Sequence, residues 1–507
     1  LIEEYAKKNG LTAYVEPKEG KNSEMTETLK QKEERGVKVV SSLRQAIINS
    51  GLKDGMTISF HHHFRGGDYI VNMVLKELSE MGYKDIKIEP SSLSDIHKPI
   101  IDYIKSGLVT SIGTSGLRGD LAKAISHGLM DKPITFRTHG GRASAIAKGD
   151  IHIDVAFLGV SSCDPMGNAN GYTREGDGKT MCGSLGYARV DAQYADHVII
   201  ITENMVPYPN APFGISQNYV DQIVLVESVG DPNKIMSGAT RFTKKPQDLL
   251  IAQAAADVIV NSGYFYDGFS IQTGSGGASL AVIRFLEEYM EEQKVNIGFA
   301  LGGITGAMVK LHEKGLIKKI LDVQSFDLDA ATSLKLNHMH QQIDANFYAN
   351  PENKNAAVNM LDIVVLSALE VDTDFNVNVL TGSDGIIMGA LGGHPDTASG
   401  AALSIVVCPL IRGRIPCVLD HVNTLCTPGS TVDVICTDQG IAVNPRRPEI
   451  KERLIKEGLN VVEIEALRNK ALRVTGEPEP LKYGEKIVGV VKYRDGRVID
   501  LIREIKD

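Results

Sequence analysis

Asp154-Val-Ala-Phe-Leu-Gly-Val-Ser-Ser-Cys-Asp164 decides the fold, because the chain carries this stretch twice. It aligns without a gap on Asp362-Ile-Val-Val-Leu-Ser-Ala-Leu-Glu-Val-Asp372, 208 positions further on, and Asn168-Ala-Asn170 then falls on Asn376-Val-Asn378. Working outward, Asp54-Gly55, a strand, the turn Gly66-Gly67 and a helical run parallel Asp267-Gly268, a strand, Gly276-Gly277 and a helical run. Downstream, Val198-Ile-Ile-Ile201 parallels Ile405-Val-Val-Cys408. Agreement kept over several segments at one spacing marks an internal duplication.

Each copy alternates short apolar runs with amphipathic stretches. Residues 57–60, 86–89, 154–159, 197–202 and 222–227 read as strands, and residues 68–81 and 98–107 have helical periodicity. This alternation predicts an α/β fold of two homologous domains, each a mostly parallel sheet flanked by helices. The predicted division is a polar arm over 1–35, a first domain over 36–245 and a second over 246–507. The second domain opens where Lys244-Lys245-Pro246 precedes a new helix.

With 43% hydrophobic and 23% charged residues, a chain of 507 residues is an ordinary globular protein of more than one core. Its formal charge of −9 argues against a general nucleic-acid binder, which needs a basic surface. No run reaches the roughly 18 apolar residues of a membrane span. The first twenty residues are charged and lack the apolar core of a secretory signal. Leu rather than Met at position 1 suggests that residues precede it. The six cysteines form no CxxC pair and suit free thiols in a reducing cytoplasm better than a zinc site.

Duplicated folds often bind ligands between the copies, so positions where the copies disagree draw notice. Ser162 in the first copy faces Glu370 in the second, at the end of an apolar strand, where open α/β sheets bind ligands. A carboxylate there can serve as nucleophile, base or acceptor, or can cap a turn with Asp372 and Asn376. Two glycine turns suit a phosphate or a developing oxyanion: Gln272-Thr-Gly-Ser-Gly-Gly-Ala278, with Gly274, Gly276 and Gly277, and Gly389-Ala-Leu-Gly-Gly-His-Pro-Asp396, with Gly392 and Gly393. Neither matches the Walker or dinucleotide patterns, and tight-turn geometry alone also explains them. In His61-His-His-Phe-Arg-Gly-Gly67, neighbouring histidines on a strand point to opposite faces, so the three cannot share one metal; a polar lining with Arg65 fits better. Thr135-Phe-Arg-Thr-His-Gly-Gly-Arg142 sets Arg137, His139 and Arg142 around a turn able to grip a polycarboxylic acid. Asn444-Pro-Arg-Arg-Pro-Glu449, with Asn444 and Arg446, is a cationic turn suited to a phosphate or pantetheine group. Surface ion pairing is the plainer reading of both arginine turns. No nucleophile elbow and no HExxH cluster is present, and no metal is expected.

These residues resemble a known group. The duplicated halves, Ala368-Leu-Glu-Val-Asp-Thr-Asp-Phe-Asn-Val-Asn378 and Gly389 to Gly400 are similar to the coenzyme A transferase superfamily. Ser59-Phe-His-His-His-Phe-Arg-Gly-Gly-Asp68, Phe136-Arg-Thr-His-Gly-Gly-Arg142 and Gly302-Gly-Ile-Thr-Gly306 resemble, within it, the citrate lyase α-subunit family, and the likeness runs end to end. It implies a transferase that moves an acyl-carrier thioester from acetate to citrate, giving citryl-carrier and acetate. It also implies a cytoplasmic complex with a β-subunit and an acyl-carrier γ-subunit, homo-oligomeric contacts, and no covalent cofactor on this chain. The thioester is then that of the γ-subunit's phosphoribosyl-dephospho-coenzyme A, with acetyl-CoA as a surrogate.

The resemblance leaves two mechanisms open. Many superfamily members form a glutamyl thioester, with Glu370 standing where they place the glutamate; the citrate lyase α-subunits transfer directly in a ternary complex. In the direct scheme, Gly392-Gly393 or Gly276-Gly277 amides are expected to stabilise the oxyanions of both steps, while Arg137, Arg142, His139 and Arg65 are expected to hold citrate. Arg142→Ala is then expected to abolish citrate saturation. A general coenzyme A transferase or acyl-CoA hydrolase acting through Glu370 is the alternative. A non-catalytic scaffold is disfavoured because both glycine turns and Glu370 are kept.

Overall fold

A computed structural model describes residues 1–13, 38–173, 181–235 and 243–506. Two large sheets carry the fold, one ten-stranded and one eight-stranded. Part of the first runs in space through Gln222–Leu225, His197–Thr202, Val155–Val160, Thr57–Phe60, Ile86–Pro90, Val109–Thr114 and Ile134–Phe136, all parallel. The second runs through Val434–Thr437, Leu403–Val407, Ile363–Ser367, Ser270–Thr273, Ile297–Ile304, Ile317–Ser325 and His340–Gln342, again all parallel. Strand for strand the order is the same, as the internal repeat predicts.

Both faces of these sheets are covered by helices, so the central strands are continuously apolar rather than alternating. Ile199, Ile200 and Ile201 have no exposed surface, and neither do Ile363, Val364 and Val365. The second unit opens with the helix Pro246–Asn261, where Pro246 takes the first turn, the position at which a missing N–H costs nothing. This helix buries Ile251, Ala255 and Ile259 in one core with Val282 and Leu286 of the helix Gly277–Gln293.

The predicted second domain, 246–507, does not hold together as one sheet. Tyr483–Lys492 pairs in parallel with Ile134–Phe136, and Val498–Ile505 closes the edge of the first sheet as an antiparallel partner. The end of the chain thus straps the first unit. Of the predicted arm, Ile2–Lys8 is helical and residues 14–35 lie outside the described residues.

Past the repeated strands come repeated ribbons. Ser162–Cys163 pairs with Ala169–Asn170, and Glu370–Asp372 pairs with Val377–Asn378. Each is closed by an aspartate over the turn. Asp164 accepts the amides of Met166, Gly167 and Asn168, and Asp372 accepts those of Asp374 and Asn376.

Candidate active site

The carboxyl ends of both sheets face a common cleft of about 740 Å³. Its walls come from residues that immediately follow strands: His62 and Arg65 after Thr57–Phe60, Ser115 and Arg118 after Val109–Thr114, Gly274 to Gly276 after Ser270–Thr273, and Ser367 to Leu369 at the end of Ile363–Ser367. The turn from Gly389 to His394 completes it. Backbone bonds tie the units together at this point. The Leu391 amide donates to Ser115 (2.8 Å), Leu117 to Gly389 (3.0 Å), and His139 to the Gly392 carbonyl (2.8 Å). The cleft is therefore an interface of the two copies, where α/β sheets commonly place ligands.

The Gly392-Gly393 turn is tight and closely packed. Gly392 has φ +54°, and a Cβ on Gly393 would overlap the Tyr348 hydroxyl. Among the described residues neither glycine amide finds an acceptor. Opposite, the turn from Gly274 to Gly276 leads into the helix Gly277–Gln293, whose first turn has no side-chain cap. Unspent amides on two walls suit an anion or an oxyanion. Gly274 and Gly276 line the cleft; Gly277 begins the helix behind them.

Of the four residues expected to hold citrate, two are in the cleft. Arg65, at φ 51°, lies 4.7 Å over the Phe326 ring, and its Nη1 is buried without a partner. Burial and the neighbouring Arg118 push its pKa down to about 10. His139 opens the helix His139–Lys148 and packs against Tyr187, ring centroids 4.4 Å apart, with His62 at 5.8 Å. Burial, Arg142 and Arg65 hold its pKa down to about 3, so it is a neutral ring and not a cation, and its buried Nδ1 has no hydrogen-bond partner among the described residues.

The other two are elsewhere. Arg142 is 4% exposed and forms a two-pronged pair with buried Asp191, Nη1–Oδ1 at 2.6 Å and Nη2–Oδ2 at 2.8 Å, and Nη2 also donates to the Glu89 carbonyl at 2.7 Å. Arg137 sits beside the Glu89 carboxylate at 3.4 Å. Neither lines the cleft. Arg137 directly follows the strand Ile134–Phe136 and Arg142 lies in the helix His139–Lys148, but their guanidiniums turn toward acids inside the first unit.

Sequence reasoning missed Arg118. It stands in Gly116-Leu-Arg-Gly119, lines the cleft and makes no ion pair among the described residues; burial lowers its pKa while Asp95 raises it. Glycines flanking an arginine just past a parallel strand were the available signal. Two guanidiniums without carboxylate partners, Arg65 and Arg118, thus share the cavity. Of the histidine run, His62 lines the cleft and hydrogen-bonds Ser91 Oγ, whereas His61 and His63 turn inward, 4.0 Å apart. Alternation along the strand separates them as expected.

Glu370 is also corrected. Its carboxylate is 2% exposed, does not line the cleft, and accepts from Asn378 Nδ2 (2.9 Å), Asn423 Nδ2 (2.9 Å) and the Asn423 amide (3.1 Å). Burial raises its pKa and these donors oppose the rise. Leu369 faces the cavity and the next residue points away, as strand alternation requires. Asp95 is the carboxylate that lines the cleft among the described residues. The cationic turn fails as well. Asn444 is buried, with Nδ2 donating to the Gly429 and Val432 carbonyls (3.0 and 2.8 Å) and Oδ1 accepting from the Arg446 amide (3.1 Å). Arg446 is exposed, and neither residue lines the cleft.

Among the described residues no helix is long and apolar enough to cross a membrane. A family model described as citrate lyase, alpha subunit (CitF), matches residues 36–505. The chain is 57% identical over 481 residues to the citrate lyase alpha chain of Escherichia coli K12, covering 95% of this chain and 94% of that one. It is 53% identical over 507 residues to the Klebsiella pneumoniae citrate lyase alpha chain, covering 100% and 98%. A crystal structure from Streptococcus mutans, described as the alpha subunit of citrate lyase in complex with citrate, superposes with a TM-score of 0.90 at 53% identity, covering 100% of this chain and 99% of that one. The malonate decarboxylase alpha subunit of Acinetobacter baumannii shares the fold at 14% identity, with a TM-score of 0.63 over 90% of this chain and 96% of its own. With the duplicated sheets and the cleft between them, the matches along almost the whole chain place this protein in the citrate lyase alpha subunit family.

Proposed function

We propose that this chain transfers an acyl-carrier thioester from acetate to citrate, releasing acetate. One observation carries the reading: two guanidiniums without partners, Arg65 and Arg118, share a cavity with the unengaged amides of Gly392 and Gly393. A tricarboxylate offers two carboxylates to the arginines and a third to the reaction. That third carboxylate attacks the acetyl carbonyl. The carbonyl pair moves to oxygen, and the glycine amides hold the resulting oxyanion. Collapse breaks the C–S bond and expels a thiolate, leaving a citryl–acetyl anhydride. The thiolate then attacks the citryl carbonyl, C–S re-forms, and acetate departs with the electron pair of the broken C–O bond.

Transfer is direct in this scheme. We assign Glu370 no nucleophilic role, because its oxygens accept from Asn378 and Asn423 outside the cleft. That observation disfavours the coenzyme A transferase or hydrolase reading built on a glutamyl intermediate. The carrier arm enters along Leu369, Val379 and Met388, with its acyl end toward the two glycine turns. The arm is a phosphoribosyl-dephospho-coenzyme A on a γ-subunit, and a β-subunit consumes the citryl thioester. The six thiols are unpaired and buried, as suits a reducing cytoplasm.

The test is direct. The purified chain receives acetyl-CoA as surrogate with citrate, succinate or butyrate, and acyl thioesters are read by mass spectrometry. Citryl-CoA alone supports the reading. Succinyl- or butyryl-CoA in comparable yield overturns citrate selectivity, and no product with either acetyl-CoA or the acetylated carrier overturns transfer.

A further inference from the structure

His394 is a cleft residue to which the reaction scheme assigns nothing. It begins the helix His394–Gly400, directly after the two glycines, and is 8% exposed. Its ring is fixed from behind, Nδ1 lying 2.7 Å from Thr427 Oγ1, a fully buried hydroxyl outside the cleft lining. The other ring nitrogen, Nε2, is buried without a hydrogen-bond partner, and His394 is among the residues that line the cavity. A buried polar atom without a partner beside a ligand cavity is a position to be filled by the ligand.

The tautomer follows from bookkeeping of hydrogens. Thr427 Oγ1 makes no other hydrogen bond among the described residues. If Nδ1 carried the proton, the buried threonine hydrogen would have no acceptor, at a cost of about 1–3 kcal/mol. The hydroxyl therefore donates to Nδ1, and the ring proton resides on Nε2, facing the cleft. We propose that His394 is a catalytic hydrogen-bond donor, its Nε2–H joining the Gly392 and Gly393 amides as a third donor to the oxyanion of both tetrahedral intermediates. No proton is transferred: the oxyanion gains its charge from the carbonyl π pair, returns it when the C–S or C–O bond breaks, and the ring stays neutral. Burial keeps the ring uncharged at neutral pH, lowering its pKa to about 4 against the opposing carbonyls of Ser367 and His394. The inference rests on the transfer reading above.

The experiment uses the full-length chain with acetyl-CoA and citrate, comparing His394→Ala and His394→Gln. Loss of one oxyanion donor predicts a fall in kcat of about 10²–10³-fold for alanine, with citrate KM within about threefold and at least about tenfold of the loss restored by glutamine, which keeps an N–H donor. Denaturation midpoints of both variants establish that they fold. An alanine variant with kcat within about threefold of the parent overturns the proposal; so does a glutamine variant as impaired as alanine at an unchanged midpoint. A second readout is independent of activity: ¹⁵N-histidine NMR of the parent, with the His394 signals assigned by their disappearance in His394→Gln. Protonated Nε2 with bare Nδ1 supports the proposal, and the reverse tautomer overturns it. If the parent forms no citryl thioester, the transfer reading falls while the tautomer measurement still decides the donor.

Discussion

Replacing Arg142 by alanine separates a binding role from a structural one. In the sequence Arg142 is a candidate grip for citrate; in the structure it neutralises Asp191, which has no exposed surface. Both guanidinium prongs are used at 2.6 and 2.8 Å, and a third bond holds the Glu89 carbonyl. Deleting one partner of such a pair leaves a buried charge uncompensated and costs about 3–5 kcal/mol. With a urea slope of about 2–3 kcal/mol/M, the transition involving the first unit moves down by about 1–2.5 M. Citrate KM, measured below that transition, stays near the parent value. Arg142→Ala/Asp191→Ala loses much less than the sum of the single changes, because removing both charges removes the desolvation cost as well. The assay is a pair of curves on each variant, urea unfolding and citrate saturation. An unchanged midpoint with citrate KM raised tenfold or more, by about 1.4 kcal/mol, would refute this reasoning and return Arg142 to the citrate site.

Three further outcomes follow. Arg118→Ala and Arg65→Ala each remove a charge-assisted bond worth about 1.5–3 kcal/mol and raise citrate KM by about 10–100-fold, whereas Arg137→Ala leaves it near the parent; saturation kinetics check this. Glu370→Gln keeps kcat within a few-fold, since the group stands outside the cleft, and no acyl-enzyme mass is trapped; a loss of about 10³-fold or more contradicts the placement. Asp396, held by Thr138 Oγ1 and the Gly140 amide at 2.9 Å each, has its pKa raised from 3.8 to about 6, first by burial, with Arg494 and these donors opposing. The raised carboxyl stabilises the fold fully below pH 3.8 and loses that contribution as pH rises through 6. The stability of the parent relative to Asp396→Asn thus falls by about 2 kcal/mol from pH 4 to pH 7, and urea unfolding that shows a flat difference contradicts the assignment.

Several elements were legible from the residues alone. The strands Thr57–Phe60 and His197–Thr202 have the bounds that their apolar runs predict, and Pro246 starts its helix. Elsewhere the ends shift: the helical period over 68–81 becomes Ile70–Glu80, because Asp68 instead accepts the Val71 amide before the helix and hydrogen-bonds His97. The glycine turns were readable because a turn that admits no side chain is written as glycine. The role of Glu370 was half readable, since the turn-capping alternative with Asp372 and Asn376 describes the ribbon in which it sits.

What the sequence by itself determined is the duplication, the parallel α/β class and the strand-end turns, because periodicity and repetition are local or one-dimensional properties. Only the tertiary structure decided which arginines meet the ligand, which carboxylate is a structural acceptor, and that the last hairpin belongs to the first sheet. A guanidinium reaches several ångströms from its backbone, and its direction is set by the nearest buried acid. Asp191 lies 49 positions from Arg142, and Thr427 lies 33 from His394, so no local pattern announces either pairing. Charge and spacing give candidates; burial and partners, which arise only when distant segments pack, determine which side chains remain unpaired in the cleft.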